Sequence, residues 1–173
     1  MTLITGQTSM LALLGQPVSH SLSPVMHNAA LQEMGLNWCY IAIPCAKKDL
    51  TTIINALKLM NCKGVNITIP FKQDIISSCS EVSKIANEIK AVNTLVRNDE
   101  GNWSGNNTDI EGFLKPIRDY NLEGKNAIVM GCGGSARAVV SGLKELKLKH
   151  INILARNPIS LNNFLKDINQ AEH

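Results

Sequence analysis

The sequence predicts an α/β protein whose strands form a mainly parallel sheet. Two observations carry this expectation. Short apolar runs alternate with helix-patterned stretches along nearly the whole chain, which implies parallel pairing through right-handed crossovers. The composition is globular as well: of 173 residues 45% are hydrophobic and 18% charged, leaving ample apolar side chain for a core.

"MLALLG" (10–15) reads as a buried strand, and "SPVMHNAALQEMG" (23–35) as a helix with Ser23 as N-cap, Pro24 in its first turn and Gly35 as its stop. "WCYIAIP" (38–44) is a second strand, followed by the helix "DLTTIINALKLM" (49–60), with Asp49 as its cap. "GVNITIP" (64–70) is a third strand, and "DIISSCSEVSKIANEIK" (74–90) carries enough apolar residues at mixed helical spacing to be expected as helix. "AVNTLVRNDEGNWSG" (91–105) forms a hairpin that turns at Asn98–Gly101. "DIEGFLKPIRDYN" (109–121) is a helix that Pro116 kinks or restarts. The polar stretch "NLEGK" (121–125) then leads into the strand "NAIVMG" (126–131), the helix "ARAVVSGLKELK" (136–147), the strand "INILAR" (151–156) and the helix "SLNNFLKDI" (160–168). The chain is accordingly divided into a first domain, 1–112, and a second, 113–173.

Composition argues against several classes of function. The net charge is +3 with Lys and Arg scattered, and only 4% of residues are aromatic, so neither a phosphate-tracking patch nor a base-stacking platform is expected. Cys39, Cys45, Cys62, Cys79 and Cys132 form no CxxC pair and lie mostly in apolar runs, where a thiol behaves as a small hydrophobe. No histidines and acids stand at ligand spacing, so no metal is expected, and His20 and His27 are read as structural. The N-terminus lacks the positive flank of a signal peptide, and no apolar run approaches the ~18 residues of a membrane span. The expectation is a reduced, cytoplasmic protein.

"GCGGSARAVV" (131–140) follows one strand and opens a helix. Gly131, Gly133 and Gly134 permit a tight turn and close backbone approach to a phosphate, while the helix amides at Ser135 and Ala136 point toward negative charge. The same turn also serves a purely structural strand–helix joint. At the end of the next strand stands Arg156 rather than an acid. A guanidinium there meets a 2′-phosphate, which favours NADP over NAD, the alternative being a solvent-facing arginine. The second domain is thus expected to be the first βαβα part of a Rossmann-type nucleotide-binding domain.

In the first domain, polar residues cluster where a doubly wound sheet places a site, at the carboxyl ends of strands. "SHSLSP" brings Ser21 and Ser23, whose hydroxyls suit a carboxylate. "NITIPFK" brings Lys72, and "GNNTD" brings Asp109. A lysine and an aspartate beside one hydroxyl can relay its proton while a hydride leaves the same carbon. Lys72 as a surface lysine, Ser23 as a cap and Asp109 as a helix N-cap are the plainer alternatives.

"LLGQPVSHSLSPVMHNAAL", "GVNITIPFK", "AVNTLV", "GNNTD" and "GCGGSARAV" occur in this order and at this approximate spacing in the shikimate dehydrogenases, which the chain resembles from about Leu13 to Arg156. The resemblance implies NADP-dependent, reversible reduction of 3-dehydroshikimate to shikimate, on the route to aromatic amino acids. It assigns Ser21 and Ser23 to the substrate carboxylate, and Thr68, Lys72, Asn93 and Asp109 to the ring hydroxyls. Lys72 and Asp109 become the catalytic pair, the loop from Gly131 to Ala136 takes the pyrophosphate, and a homodimer is admitted. Two serines at 21 and 23 match the shikimate-specific pattern rather than that of quinate users, although a quinate- or NAD-using relative stays open. There are two departures. Ala155 precedes Arg156 where the family has Asn, and family members run on beyond the point where this sequence stops. The expectation is therefore a fragment or a shortened relative with an uncovered sheet edge and face, and a shikimate-binding module without catalysis is the rival reading.

Overall fold

In the computed structural model, which describes residues 4–169, the apolar run around Ala12 forms the strand β1 (Ser9–Gly15), buried from Ala12 to Gly15. Burial on both faces is what a parallel strand with covered faces requires. It pairs in parallel with β2 (Trp38–Pro44) on one side and with β3 (Gly64–Ile67) on the other. Between β1 and β2 runs α1 (Ser23–Glu33), and between β2 and β3 a short 3₁₀ turn leads into α2 (Leu50–Leu59). The expected βαβ pattern is thus present as a mainly parallel sheet.

The remaining strands make the sheet mixed. A 3₁₀ segment (Asp74–Ser78), the two-residue strand β4 (Glu81–Val82) and the short helix α3 (Lys84–Glu88) occupy the stretch expected as one helix over 74–90. Its apolar residues do not keep one helical stripe: Ile75 is buried in the 3₁₀ turn, while Ser83 starts afresh, its hydroxyl accepting from Ala86 N. β5 (Thr94–Arg97) then lies antiparallel to β3, and β6 (Trp103–Asn106) returns from the expected turn at Asn98–Gly101. The six strands run β2-β1-β3-β5-β6-β4.

Capping differs from expectation in detail. Leu22, not Ser23, is the N-cap of α1, and the Ser21 hydroxyl accepts from Ser23 N at 3.2 Å in its place. Asp49 precedes α2 without a side-chain cap bond. Gly35 does end α1, with φ +66, the left-handed conformation that a glycine adopts without Cβ strain. The edge strand β2 is closed by Asn28 on α1. Its Nδ2 donates to Tyr40 O at 2.8 Å and its Oδ1 accepts from Tyr40 N at 2.9 Å, so one side-chain amide imitates a neighbouring strand.

The described residues divide into two units, 4–82 with 92–105 and 83–91 with 106–169. The expected boundary at 112/113 falls inside α4 (Asp109–Leu114). The physical reason is the second unit's core: Ile89 and Ala91, which follow α3, pack with Ile110 and Leu114 of α4 and Ala138 of α5 (Gly134–Lys144). Gly142 lets α4 approach α5, since a Cβ there would lie 3.1–3.3 Å from Phe113 and Leu114. α4 ends at Leu114 with Lys115 as C-cap, so Pro116 terminates the helix rather than kinking it.

The second unit also holds β7 (Asn126–Met130) and β8 (His150–Leu154), paired in parallel, followed by α6 (Pro158–Asn169). One face of this two-stranded sheet packs Val129, Val140, Leu143 and Phe164 into a core. The other face leaves Ile128, Met130 and Leu154 exposed. Among the described residues no helix is long and apolar enough to cross a membrane.

Candidate functional site

In the first unit Ser21 lies in the loop after β1, Ser23 is the first residue of α1, Thr68 and Lys72 follow β3, and Asn93 precedes β5. Gln16 N donates to Ile69 O at 2.9 Å and Thr68 N to Leu14 O at 2.9 Å, which holds the Thr68 loop against the end of β1. Gly15 makes that approach possible: a Cβ there would sit 2.3 Å from Thr68 Cγ2 and 3.0 Å from Ile69 O. Gly15→Ala is therefore expected to displace the Thr68 loop and lower stability by about 1–3 kcal/mol, read as a fall in the thermal midpoint. An unchanged midpoint would show that the loop yields freely.

Lys72 is half-buried, and its carbonyl accepts from Val92 N at 2.7 Å, next to Asn93. Asn93 is only 7% exposed, and its carbonyl accepts from Ile67 N at 2.8 Å. Thus the Lys72 and Asn93 backbones are fixed by neighbouring bonds to β3 and its extension.

Three residues that sequence reasoning did not single out connect this group. The Tyr40 hydroxyl donates to Asn66 Oδ1 at 2.8 Å. Asn66 Nδ2 donates to Thr94 Oγ1 at 3.3 Å, and Thr94 Oγ1 donates to Asn93 Oδ1 at 2.8 Å. Burial pushes the Tyr40 phenol up to about 12, against the smaller opposite effect of Ser23, so it remains a proton donor at any working pH. His27 stacks on the Tyr40 ring at 4.2 Å with 10° between the planes, a structural placement for that histidine. The signal available in the sequence was a polar residue inside an apolar strand: Asn66 in "GVNITIP" and Thr94 in "AVNTLV".

In the second unit Asp109 is the first residue of α4, half-buried, and Thr108 is the N-cap. The cap reading of Asp109 is not realised: Asn107 Oδ1 accepts from Asp109 N at 2.9 Å, while Asn107 Nδ2 donates to Ala91 O at 3.0 Å.

The glycine loop joins β7 to α5. Gly131 has φ +119, a conformation that favours glycine, and Gly133 is the N-cap of α5. A Cβ at Gly131 or Gly133 would meet no atom within 4 Å, so the missing side chains leave open space beside the amides of Gly134, Ser135 and Ala136. Arg156 is exposed and lines the same cavity of about 710 Å³ as Gly131, Cys132, Ala155 and Asn157. Asn157 Oδ1 accepts from Ile159 N at 2.9 Å and Ser160 N at 3.1 Å, which starts α6 two residues before its expected start. A bare glycine loop at a helix N-terminus with a guanidinium on its cavity fits a phosphorylated dinucleotide. Among the described residues no cluster of His, Cys, Asp and Glu could hold a metal ion.

Comparison with known proteins places these features in context. Residues 13–95 match the family described as shikimate dehydrogenase substrate binding domain. A shikimate dehydrogenase (NADP(+)) of Prochlorococcus marinus (strain MIT 9515) is 55% identical over 163 residues, covering 94% of this chain and 57% of that protein. The crystal structure of shikimate dehydrogenase from Aquifex aeolicus superposes with a TM-score of 0.89 at 34% identity, over 96% of this chain and 63% of that one. The shikimate 5-dehydrogenase of Thermus thermophilus, solved in complex with NADP(H) and shikimate, gives 0.82 at 34% identity over 94% and 61%. The chain spans about three fifths of the length of such relatives.

Proposed function

We propose that this chain is a member of the shikimate dehydrogenase family and supplies the substrate site and the phosphate-binding loop of an NADP-dependent enzyme interconverting 3-dehydroshikimate and shikimate. The observation that carries the reading is the hydrogen-bonded row from Tyr40 through Asn66 and Thr94 to Asn93, a dedicated polar surface amid apolar strands. Ser21 and Ser23 hold the carboxylate through their hydroxyls, and Thr68 and Asn93 hold ring hydroxyls. Lys72 takes the proton of the reacting hydroxyl when shikimate is oxidised and returns it in the reverse direction, and Asp109 is the second catalytic residue. NADP, when bound, supplies the hydride chemistry; Gly131, Gly133, Gly134, Ser135 and Ala136 would cradle its pyrophosphate and Arg156 its 2′-phosphate. The proposal places the enzyme in the cytoplasm, in keeping with the free thiols of Cys39, Cys45, Cys62, Cys79 and Cys132.

The test is an absorbance assay of the full-length protein. Shikimate with NADP is expected to yield reduced nicotinamide, and NAD to serve less well. Arg156→Gln is expected to raise the KM for NADP by roughly 10- to 100-fold, the worth of a charge-assisted hydrogen bond, and to leave that for NAD unchanged. Absence of turnover with either cofactor would remove the dehydrogenase reading, whereas an unchanged NADP to NAD ratio in Arg156→Gln would remove only the role of the arginine.

A further inference from the structure

We infer that Thr94 is a positioning residue, which sets the direction of the Asn93 amide and so the hydrogen-bond polarity that the pocket presents to a substrate hydroxyl. The inference rests on the shikimate reading of this pocket and adds a residue to it.

The argument starts from the register. Asn66 and Thr94 are opposed across the antiparallel β3–β5 pair, so their side chains share one face of the sheet. Asn93 immediately precedes β5, and its side chain meets that of its own neighbour, which a regular strand does not permit because successive side chains point to opposite faces. The chain therefore leaves strand geometry at Asn93. There its amide lies against the Thr94 hydroxyl, while its carbonyl still closes the end of β3 through Ile67 N.

A threonine hydroxyl has one proton to give, and here the neighbours fix where it goes. Tyr40 donates to Asn66 Oδ1, so the other end of that amide, Nδ2, is the one turned toward β5, where it donates to Thr94 Oγ1 at 3.3 Å. With its lone pair engaged by Asn66, the Thr94 hydroxyl donates to Asn93 Oδ1 at 2.8 Å. The oxygen of Asn93 is thereby held by Thr94, which fixes which end of the amide is Nδ2. Polarity thus passes in one direction from Tyr40 to Asn93, and the tyrosine proton that maintains it is not titrated away. Without the Thr94 hydroxyl, the Asn93 oxygen loses this donor, and a flipped amide would offer an acceptor where a donor is needed.

Thr94→Val keeps the branched shape and removes only the hydroxyl. Titration of the full-length protein with shikimate by calorimetry is expected to show a three- to tenfold weaker dissociation constant for Thr94→Val, with Thr94→Ser close to the parent. In an Asn93→Ala background the Val substitution is expected to have no further effect, because the group it positions is gone. A merely structural role would instead weaken both backgrounds equally. Should Thr94→Val not fold, as judged by its thermal midpoint, Thr94→Ala carries the same comparison. Parent-like affinity of the variant, or an equal loss in the Asn93→Ala background, overturns the assignment. Failure of the parent protein itself to bind shikimate would overturn the reading of the pocket, and the role of Thr94 with it.

Discussion

Lys72→Ala in the full-length enzyme is expected to reduce kcat by about 10²- to 10⁴-fold, the usual worth of a positioned proton-transfer group. The lysine follows the end of β3, half-buried, with its own carbonyl tied to Val92 N, so its stem starts from a fixed backbone. Removing the amine leaves Ser21, Ser23, Thr68 and Asn93 in place, so the KM for shikimate is expected to change far less than kcat. NADP affinity should be nearly untouched, since the glycine loop and Arg156 belong to the other unit. Lys72→Arg is expected not to restore turnover, because a guanidinium does not release a proton in the working range. Steady-state kinetics in both directions, with NADP binding followed separately, checks this. Turnover within a few-fold of the parent would remove Lys72 from the proton transfer and leave the substrate site standing.

The elements that were legible in the sequence are those whose burial and local chemistry agree. β1, β2 and β7 are apolar runs bounded by turn residues, and Gly35 and Gly131 occupy left-handed or otherwise glycine-favouring positions. The stretch from Asp74 to Lys90 failed because its composition suits a helix while its tertiary surroundings do not. Ile75 is drawn into the core within a 3₁₀ turn, and Ser83 caps a separate short helix whose following residues, Ile89 and Ala91, belong to the second unit's core. The antiparallel direction of β5 was hidden for a related reason: it depends on where that irregular stretch delivers the chain. At the site, Ser21, Ser23, Lys72 and Asp109 were visible as polar residues at strand ends. Tyr40, Asn66 and Thr94 were not, because their relation is across strands, set by register rather than by spacing along the chain. Asn107 shows the same limit on a smaller scale, since it serves the start of α4 from outside the helix that its neighbours suggest.

Asp167→Ala is expected to destabilise the protein by about 2–4 kcal/mol through an uncompensated buried charge. The Arg137 side chain, on the helix that follows the glycine loop, is only 5% exposed. It donates from Nη2 to Asp167 Oδ2 at 2.6 Å, with its guanidinium 5.2 Å above the Phe164 ring. Lys90 donates to the other carboxylate oxygen at 2.8 Å, so one α6 aspartate joins α5 to a residue just beyond α3. Its two cations are unequal. Lys90 is 44% exposed, and water compensates for much of what it loses, so Lys90→Met is expected to change stability by less than about 1 kcal/mol. Arg137, at 5% exposure, has little water beside it. The pH dependence follows from the same contacts. The hydrogen bond from Lys90 is the largest influence on the Asp167 carboxyl, burial opposes it next, and Arg137 adds to Lys90, so the carboxyl is held below its ordinary value. A carboxyl whose folded pKa is depressed contributes stability that is complete above the unfolded value of ~3.9 and is lost as pH falls through the folded one. Thermal midpoints of the parent and Asp167→Ala should therefore lie well apart at neutral pH and draw together below about pH 4. Midpoints that stay equally separated down to strong acid would mean that the loss is one of packing around Phe164, and that the carboxylate does not hold Arg137 in the core by charge.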